Sequence, residues 1–281
     1  MLIFLNDRFV AEQKAVVSVS DRSFLYGDGL FEAVPILNGN PFRWAQHMER
    51  FQNGAKVLKI AMPFSSAALK KFAGQLIAKN KMPEALLRIT LSRGVGVRGY
   101  SPKGADNPTL VMTLHPPAKL DLEHPPKWKV ITSSIRLPAS EPLALFKTCN
   151  KLPQIMARAQ ADAAGAQEAL LSNTDGFVVE GTTSNLFWIR DGTVCTPPLA
   201  SGILPGVTRA VVLEICRALK IRTREIAPRP KELLGADGVF LSMSSYGIAE
   251  VVVLDGRSLR RSACVEKIRR SYQRLLSEET R

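Results

Sequence analysis

Metal-binding residues are scarce in this chain, which holds three histidines and four cysteines among 281 residues. His47, His115 and His124 lack zinc-ligand spacing, and Cys149, Cys195, Cys216 and Cys264 form no CxxC pair or Cys/His set. That spacing argues against a zinc site or a disulfide framework and predicts free thiols in a reducing compartment. A catalytic thiol at Cys149 would need a base, and its sequence neighbours provide none. No apolar run reaches the ~20 residues needed to cross a bilayer. The start, Met1-Leu2-Ile3-Phe4-Leu5-Asn6-Asp7, lacks the basic, apolar and small-residue regions of a signal peptide. The expectation is a cytoplasmic protein with no metal and no membrane partner.

What is present suits a globular fold. Hydrophobic residues make up 46% and charged residues 22%, ample material for a core. The length allows two domains. Pro116-Pro117 and Pro125-Pro126 bracket a stretch unsuited to a central strand. The boundary is therefore placed there, with domains at 1–115 and 127–281 and a linker at 116–126. The net charge is +13. Its densest stretch, Arg257 to Arg281, interleaves basic residues with Ile268, Tyr272, Leu275 and Leu276 at helical spacing. That pattern reads as the solvated face of a terminal helix rather than a nucleic-acid surface. The charge would steer an anionic small molecule.

Strands are expected at Leu2–Leu5, from Leu30, at Ala85–Ser92 and at Thr109–Leu114, with an Asn38-Gly39 hairpin turn. Helices are expected from Trp44 to Leu58 and from Ser66 to Asn80. In the second half a strand covers Lys129–Ile135, and Asn150 caps a helix running to Ala164. Strands at Glu168–Ser172, Phe177–Glu180 and Asn185–Arg190 come next. A helix follows Gly206, then strands at Gly238–Ser242 and Ile248–Leu254, and a last helix.

Two segments carry chemistry. One is Phe146-Lys147-Thr148-Cys149-Asn150-Lys151; the other, about thirty residues on, is Gly176-Phe177-Val178-Val179-Glu180. An amine and a carboxylate are what pyridoxal phosphate requires: the lysine forms a Schiff base with its aldehyde, and the acid keeps its pyridine nitrogen protonated. Lys147 is the preferred amine and Lys151 the rival. Gly206-Val207-Thr208 opens a helix whose unpaired N–H groups suit an anion. Arg50 would add a bidentate contact, and Ser242, Ser244 and Ser245 add hydroxyls. The loop Arg93-Gly94-Val95-Gly96-Val97-Arg98-Gly99-Tyr100-Ser101 reads either as a mobile basic loop or as a carboxylate clamp built on Arg98. It is no dinucleotide fingerprint, because a third glycine and a helix do not follow Gly94-Val95-Gly96.

Taken in order, these segments resemble the class IV aminotransferases, the fold type IV pyridoxal phosphate enzymes. The matching pieces are Ser20-Asp21-Arg22, Tyr26 through Glu32, His47–Arg50–Phe51 and Lys147–Asn150. They continue with Glu168-Ala169-Leu170-Leu171, Glu180 with Asn185-Leu186-Phe187, and Gly202 through Thr208. The resemblance implies a two-domain α/β (α+β) protein, cofactor in the interdomain cleft, and a homodimer with residues of both subunits near the site. It implies Lys147 as the Schiff-base lysine and Glu180 as the ring-nitrogen partner. Arg50, Val207, Thr208 and Ser244 would hold the phosphate, with Arg98, Tyr100, Tyr26 and Phe31 on the substrate side.

Within the family, the loop around Arg98-Gly99-Tyr100-Ser101 and the two residues between Lys147 and Asn150 are most similar to aminodeoxychorismate lyases. Those enzymes release pyruvate from 4-amino-4-deoxychorismate, an anionic amine, and yield 4-aminobenzoate for folate. Ala33 and Pro35 depart from that pattern, where many lyases have threonine and many members a basic residue. The alternative is a transaminase of D-amino or branched-chain amino acids with an α-keto acid acceptor. A non-catalytic basic binding protein is the reading from a different class.

Overall fold

The computed structural model describes residues 1–118 and 126–281. Most of the 116–126 stretch, His124 included, therefore lies outside the described residues. Contacts divide the chain into two compact units. The first comprises Met1–Pro117, Phe146–Asn150 and Leu276–Arg281; the second comprises Ala118–Leu145 and Lys151–Leu275. A single cut at the proline-rich stretch would place Phe146–Asn150 in the second half. Backbone pairing puts it in the first.

The first unit contains β1 (Leu2–Leu5), β2 (Arg8–Ala11), α1 (Arg22–Tyr26), β3 (Gly29–Leu37) and β4 (Asn40–Pro41). It continues with α2 (Trp44–Leu58), α3 (Ser66–Asn80), β5 (Ala85–Ser92) and β6 (Thr109–His115). Its six-stranded antiparallel sheet has the order β2-β1-β6-β5-β3-β4. Along β3 and β5 buried residues alternate with half-buried ones, so one sheet face enters the core and the other does not. Val34, Ile36, Leu87 and Ile89 pack on the core side with Met48, Phe51, Leu69 and Leu76 of α2 and α3. The hairpin at Asn38-Gly39 has positive φ at both residues, 52° and 78°, as a tight two-residue turn requires. Ser65 caps α3 through a bond from Ala68 N–H.

The second unit contains β7 (Lys127–Leu137), α4 (Leu152–Ala163), β8 (Glu168–Asn173), β9 (Val178–Gly181), β10 (Asn185–Arg190) and β11 (Thr193–Thr196). It continues with α5 (Val207–Ala218), β12 (Thr223–Glu225), α6 (Pro230–Leu234), β13 (Gly238–Met243), β14 (Gly247–Leu254) and β15 (Arg257–Ser258). α7 (Ala263–Glu279) begins in this unit. The strand order is β12-β11-β10-β13-β14-β7-β8-β9. β9 also pairs with β10, so six of these strands form a ring with few free edges. β8, β10 and β13 are buried almost throughout, which explains why they read as continuous apolar runs.

One local expectation is corrected. Asn150 does not cap α4: Lys151 occupies that position, and the Asn150 amide donates to Gly27 O instead. Phe24-Leu25-Tyr26 lies within the short helix α1, capped by the Asp21 side chain, which accepts from Ser23 N–H. The terminal helix is amphipathic as expected, yet Arg269 lies on its buried side, paired with Glu266.

Candidate active site

In the first unit, Phe146–Asn150 runs beside the start of β3. Phe31 N–H donates to Lys147 O and Cys149 N–H to Gly29 O, both at 2.9 Å, and Leu30 bridges Thr148. Gly27 has φ +68° at the end of α1, and a Cβ there would collide with the Asn150 amide. A glycine is therefore needed for both backbone angle and space. The lysine segment is thus held as an added strand, which orients Lys147. Its Nζ lies 4.6 Å from the Phe31 ring centroid.

A second cation meets the same ring. The Arg88 guanidinium lies 3.8 Å from the Phe31 centroid, and its Nε donates to Thr90 Oγ1 at 3.2 Å. Register explains the grouping. Phe31 opposes Thr90 and Ala33 opposes Arg88, so all four share the non-core face of β3 and β5. Burial lowers the pKa of Arg88, partly offset by the nearby Cys149 thiol; an arginine keeps its charge regardless. Sequence reasoning missed Arg88. The available signal was a lone arginine at a position where β5 alternates away from the core.

Arg50 does not stand alone. Its Nε and Nη2 donate to Glu32 Oε1 and Oε2 at 2.8 and 2.7 Å, a bidentate pair, and His47 Nδ1 lies 2.8 Å from Oε2. Burial opposes the charge of Glu32, but Arg50 and His47 outweigh it and hold the carboxyl down at about 2. Burial lowers the pKa of His47 against the pull of Glu32, with the charges of Arg50 and Lys147 assisting. A neutral His47 donating to ionised Glu32 satisfies both directions.

This triad sets an acid sensitivity. A carboxyl depressed from 4.5 to about 2 contributes its stability in full above 4.5 and loses it as pH falls through about 2. The shift corresponds to something on the order of 3 kcal/mol. His47, held neutral, adds a loss that begins as pH falls below its ordinary 6.5. Glu32→Gln should therefore be markedly less stable than the parent at pH 7 in urea unfolding, with the gap narrowing toward pH 3. A gap of the same size at both pH values would contradict the assignment.

The loop Arg93–Ser101 is tied to the rest of the first unit by specific bonds. Arg93 pairs with Asp28 and donates to Leu58 O and Lys59 O at the end of α2. Tyr26 Oη accepts from Gly99 N–H at 3.0 Å, and the Tyr26 and Tyr100 rings meet edge-on at 5.6 Å. Tyr100 and Arg98 themselves are exposed.

In the second unit, Glu180, Asn185 and Ser242 stand directly opposite one another on β9, β10 and β13, so they share one face. Leu204 N–H donates to Glu180 Oε2 at 3.0 Å, and the Asn185 amide donates to Leu204 O at 2.9 Å. The backbone just before α5 is thereby fixed to the row that contains Glu180. Gly206 precedes α5, and no side chain caps that helix. A Cβ on Gly206 would collide with Asn185 Oδ1. Val207 and Thr208 form the first turn, both buried. Ser242 Oγ is buried without a hydrogen-bond partner among the described residues, and Ser244 lies half-buried in the turn between β13 and β14. Glu168, which sequence reasoning noted only as part of a segment, is fully buried. It accepts from Thr182, Thr183 and Ser184, which form the turn between Glu180 and Asn185.

These donor sets fit pyridoxal phosphate. An anchored carboxylate suits a pyridine nitrogen, an uncapped helix start with a glycine before it suits a phosphate, and a lysine on an aromatic ring suits an aldehyde. Lys147, Phe31 and Arg50 belong to the first unit; Glu180, Val207, Thr208 and Ser244 belong to the second. Among the described residues no group of histidine, cysteine or carboxylate side chains could hold a metal ion, and no helix is long and apolar enough to cross a membrane.

Comparison with known proteins agrees with this chemistry. The family model described as amino-transferase class IV matches residues 29–254. The chain is 35% identical over 258 residues to a Methanocaldococcus jannaschii protein named "Putative branched-chain-amino-acid aminotransferase", covering 92% of this chain and 89% of that one. It is 32% identical over 236 residues to the aminodeoxychorismate lyase of Vibrio harveyi, covering 84% and 86%. The structure of a T.th. branched-chain amino acid aminotransferase with pyridoxamine 5′-phosphate superposes with a TM-score of 0.92 at 28% identity. That match covers 100% of this chain and 95% of the other.

Proposed function

The chain belongs to the class IV aminotransferases, pyridoxal phosphate enzymes, and from that membership we propose that it is a 4-amino-4-deoxychorismate lyase. The observation that carries the reading is the pair of cations, Lys147 and Arg88, on the one Phe31 ring. It puts a proton-accepting amine beside a fixed positive charge, as an amine substrate bearing carboxylates requires. The Arg98-Gly99-Tyr100-Ser101 loop supports the lyase over its relatives.

When bound, pyridoxal phosphate supplies an aldehyde that condenses with amines and a ring that takes up the electron pair of a breaking C–H bond. Arg50, the N–H groups of Val207 and Thr208, and Ser244 would hold its phosphate. Glu180, its position fixed by Leu204 N–H, would keep the proton on the ring nitrogen. Lys147 would anchor the cofactor and would take the proton from the substrate carbon that bears the amine. Arg88, Arg98 and Tyr100 orient the substrate carboxylates. That ring C–H bond and the C–O bond to the enolpyruvyl group break, and the substrate ring becomes aromatic. The leaving group gains a proton at its methylene carbon to become pyruvate. The enzyme works as a cytoplasmic homodimer, and the exposed Val16, Val19, Phe24 and Val97 of the first unit support burial against a second copy.

Ala33 favours a second reading. The face beside Phe31 carries a methyl group where many lyases carry the threonine hydroxyl, which suits a transaminase acting on branched-chain or D-amino acids. The two readings separate on supplying 4-amino-4-deoxychorismate alone. The lyase yields pyruvate and 4-aminobenzoate in equal amounts, whereas turnover that begins only on adding an α-keto acid belongs to the transaminase.

A further inference from the structure

The loop Arg93–Ser101 is held by one residue at both of its ends. Arg22 N–H donates to Gly94 O at 2.9 Å. Its side chain reaches the far end, where Nη1 donates to Gly99 O and Ser101 O at 2.9 and 3.1 Å and Nη2 donates to Tyr100 O at 3.1 Å. The remaining edge of the guanidinium pairs with Asp28, Nε to Oδ2 at 2.8 Å, and its Cζ lies 5.0 Å from the Tyr26 ring centroid. Asp28 in turn pairs with Arg93, where the loop begins. Burial opposes the Asp28 charge, but Arg93 and Arg22 together outweigh it and hold its pKa below the usual carboxylate range.

Arg22 is 3% exposed, so these bonds lie away from competing water. Three successive carbonyls converging on one cation fix the path of Gly99-Tyr100-Ser101. Gly99 complies because its φ is +116°, an angle few L-residues adopt. The loop therefore presents Tyr100 and Arg98 outward on a preset backbone, although both side chains are exposed and have little packing to hold them.

We propose that Arg22 is a positioning residue for substrate selection: it locks the Arg93–Ser101 backbone so that Arg98 and Tyr100 meet the substrate carboxylate in one arrangement. This rests on the reading above that the loop contacts substrate. Lysine at position 22 keeps a charge for Asp28 but cannot bond three carbonyls in that planar array. Its effect should fall on substrate capture and not on the chemistry around Lys147.

The test compares the holoenzyme with Arg22→Lys and Gly99→Ala. A Cβ on Gly99 meets nothing within 4 Å, so that variant disturbs the loop backbone without crowding the core. The substrate is 4-amino-4-deoxychorismate or the amino donor selected by the product test. Both variants should show faster amide exchange at 94–101 and a KM raised roughly tenfold, the factor that about one hydrogen bond's worth of lost preorganisation gives. Their kcat should stay within about threefold, and the absorbance of the bound cofactor should not change. Faster loop exchange with unchanged KM, while Arg98→Ala raises KM, overturns the positioning role and spares the loop reading. Unchanged KM in Arg98→Ala and Tyr100→Phe removes the loop reading, and the proposal with it. A parallel fall in kcat and cofactor absorbance makes Arg22 a structural residue and also overturns the proposal. Should Arg22→Lys fail to fold, the KM of Gly99→Ala decides alone.

Discussion

Lys147→Ala should lose turnover by roughly 10⁴-fold, because in the proposed function one amine serves as both the cofactor's anchor and the proton carrier. The loss should be chemical rather than structural. The Lys147 backbone is held by Phe31 N–H and by the neighbouring Leu30–Thr148 bridge, neither of which needs the side chain. The variant should fold and still take up cofactor through its phosphate contacts. Borohydride should then fix no pyridoxyl group to the protein, whereas in the parent it should label Lys147. Lys151, the rival amine, stands at the cap position of α4 in the other unit. Lys151→Ala should keep most activity. Labelling at Lys151, or more than about a tenth of parental turnover in Lys147→Ala, would sink the assignment.

The second large effect is expected at Glu180. Glu180→Gln retains an oxygen able to accept from Leu204 N–H, so the backbone leading into α5 should stay in place. What it loses is the negative charge that, in the proposed function, keeps a proton on the ring nitrogen. A fall in kcat of about 10²–10³-fold is expected, comparable with removing one preorganised electrostatic partner. The bound cofactor's absorption should shift with it, while KM moves little. Glu180→Gln within about threefold of parental kcat would show that this carboxylate is not the ring's partner.

Much of the architecture was legible because local rules and tertiary demands coincide. α2 and α3 follow an apolar stripe with clear ends, and Asn38-Gly39 has the left-handed angles such a pair favours. Expected strand ends in the second unit fall within about two residues of those observed, as boundaries commonly do. Short strands were missed: β2, β11 and β12 have only three or four residues each, too few to show a period in sequence, and their hydrogen-bond partners come from neighbouring strands. Asn150 shows the limit of capping rules. It has a preferred cap side chain, yet a carbonyl at Gly27, distant in sequence, is its partner.

The site divides in the same way. From residue order alone came the family and the cofactor chemistry, since reactive groups sit in segments whose order survives in the chain. Long-range register decided the rest. Sequence alone could not bring Arg88 to Phe31, because that contact depends on β3 and β5 aligning Ala33 with Arg88. It could not show that Arg50 is clamped by Glu32, or that Arg22 spans both ends of a loop more than seventy residues away. A side chain's type is written in the chain, but its partner is set by which strands and turns the fold brings alongside it.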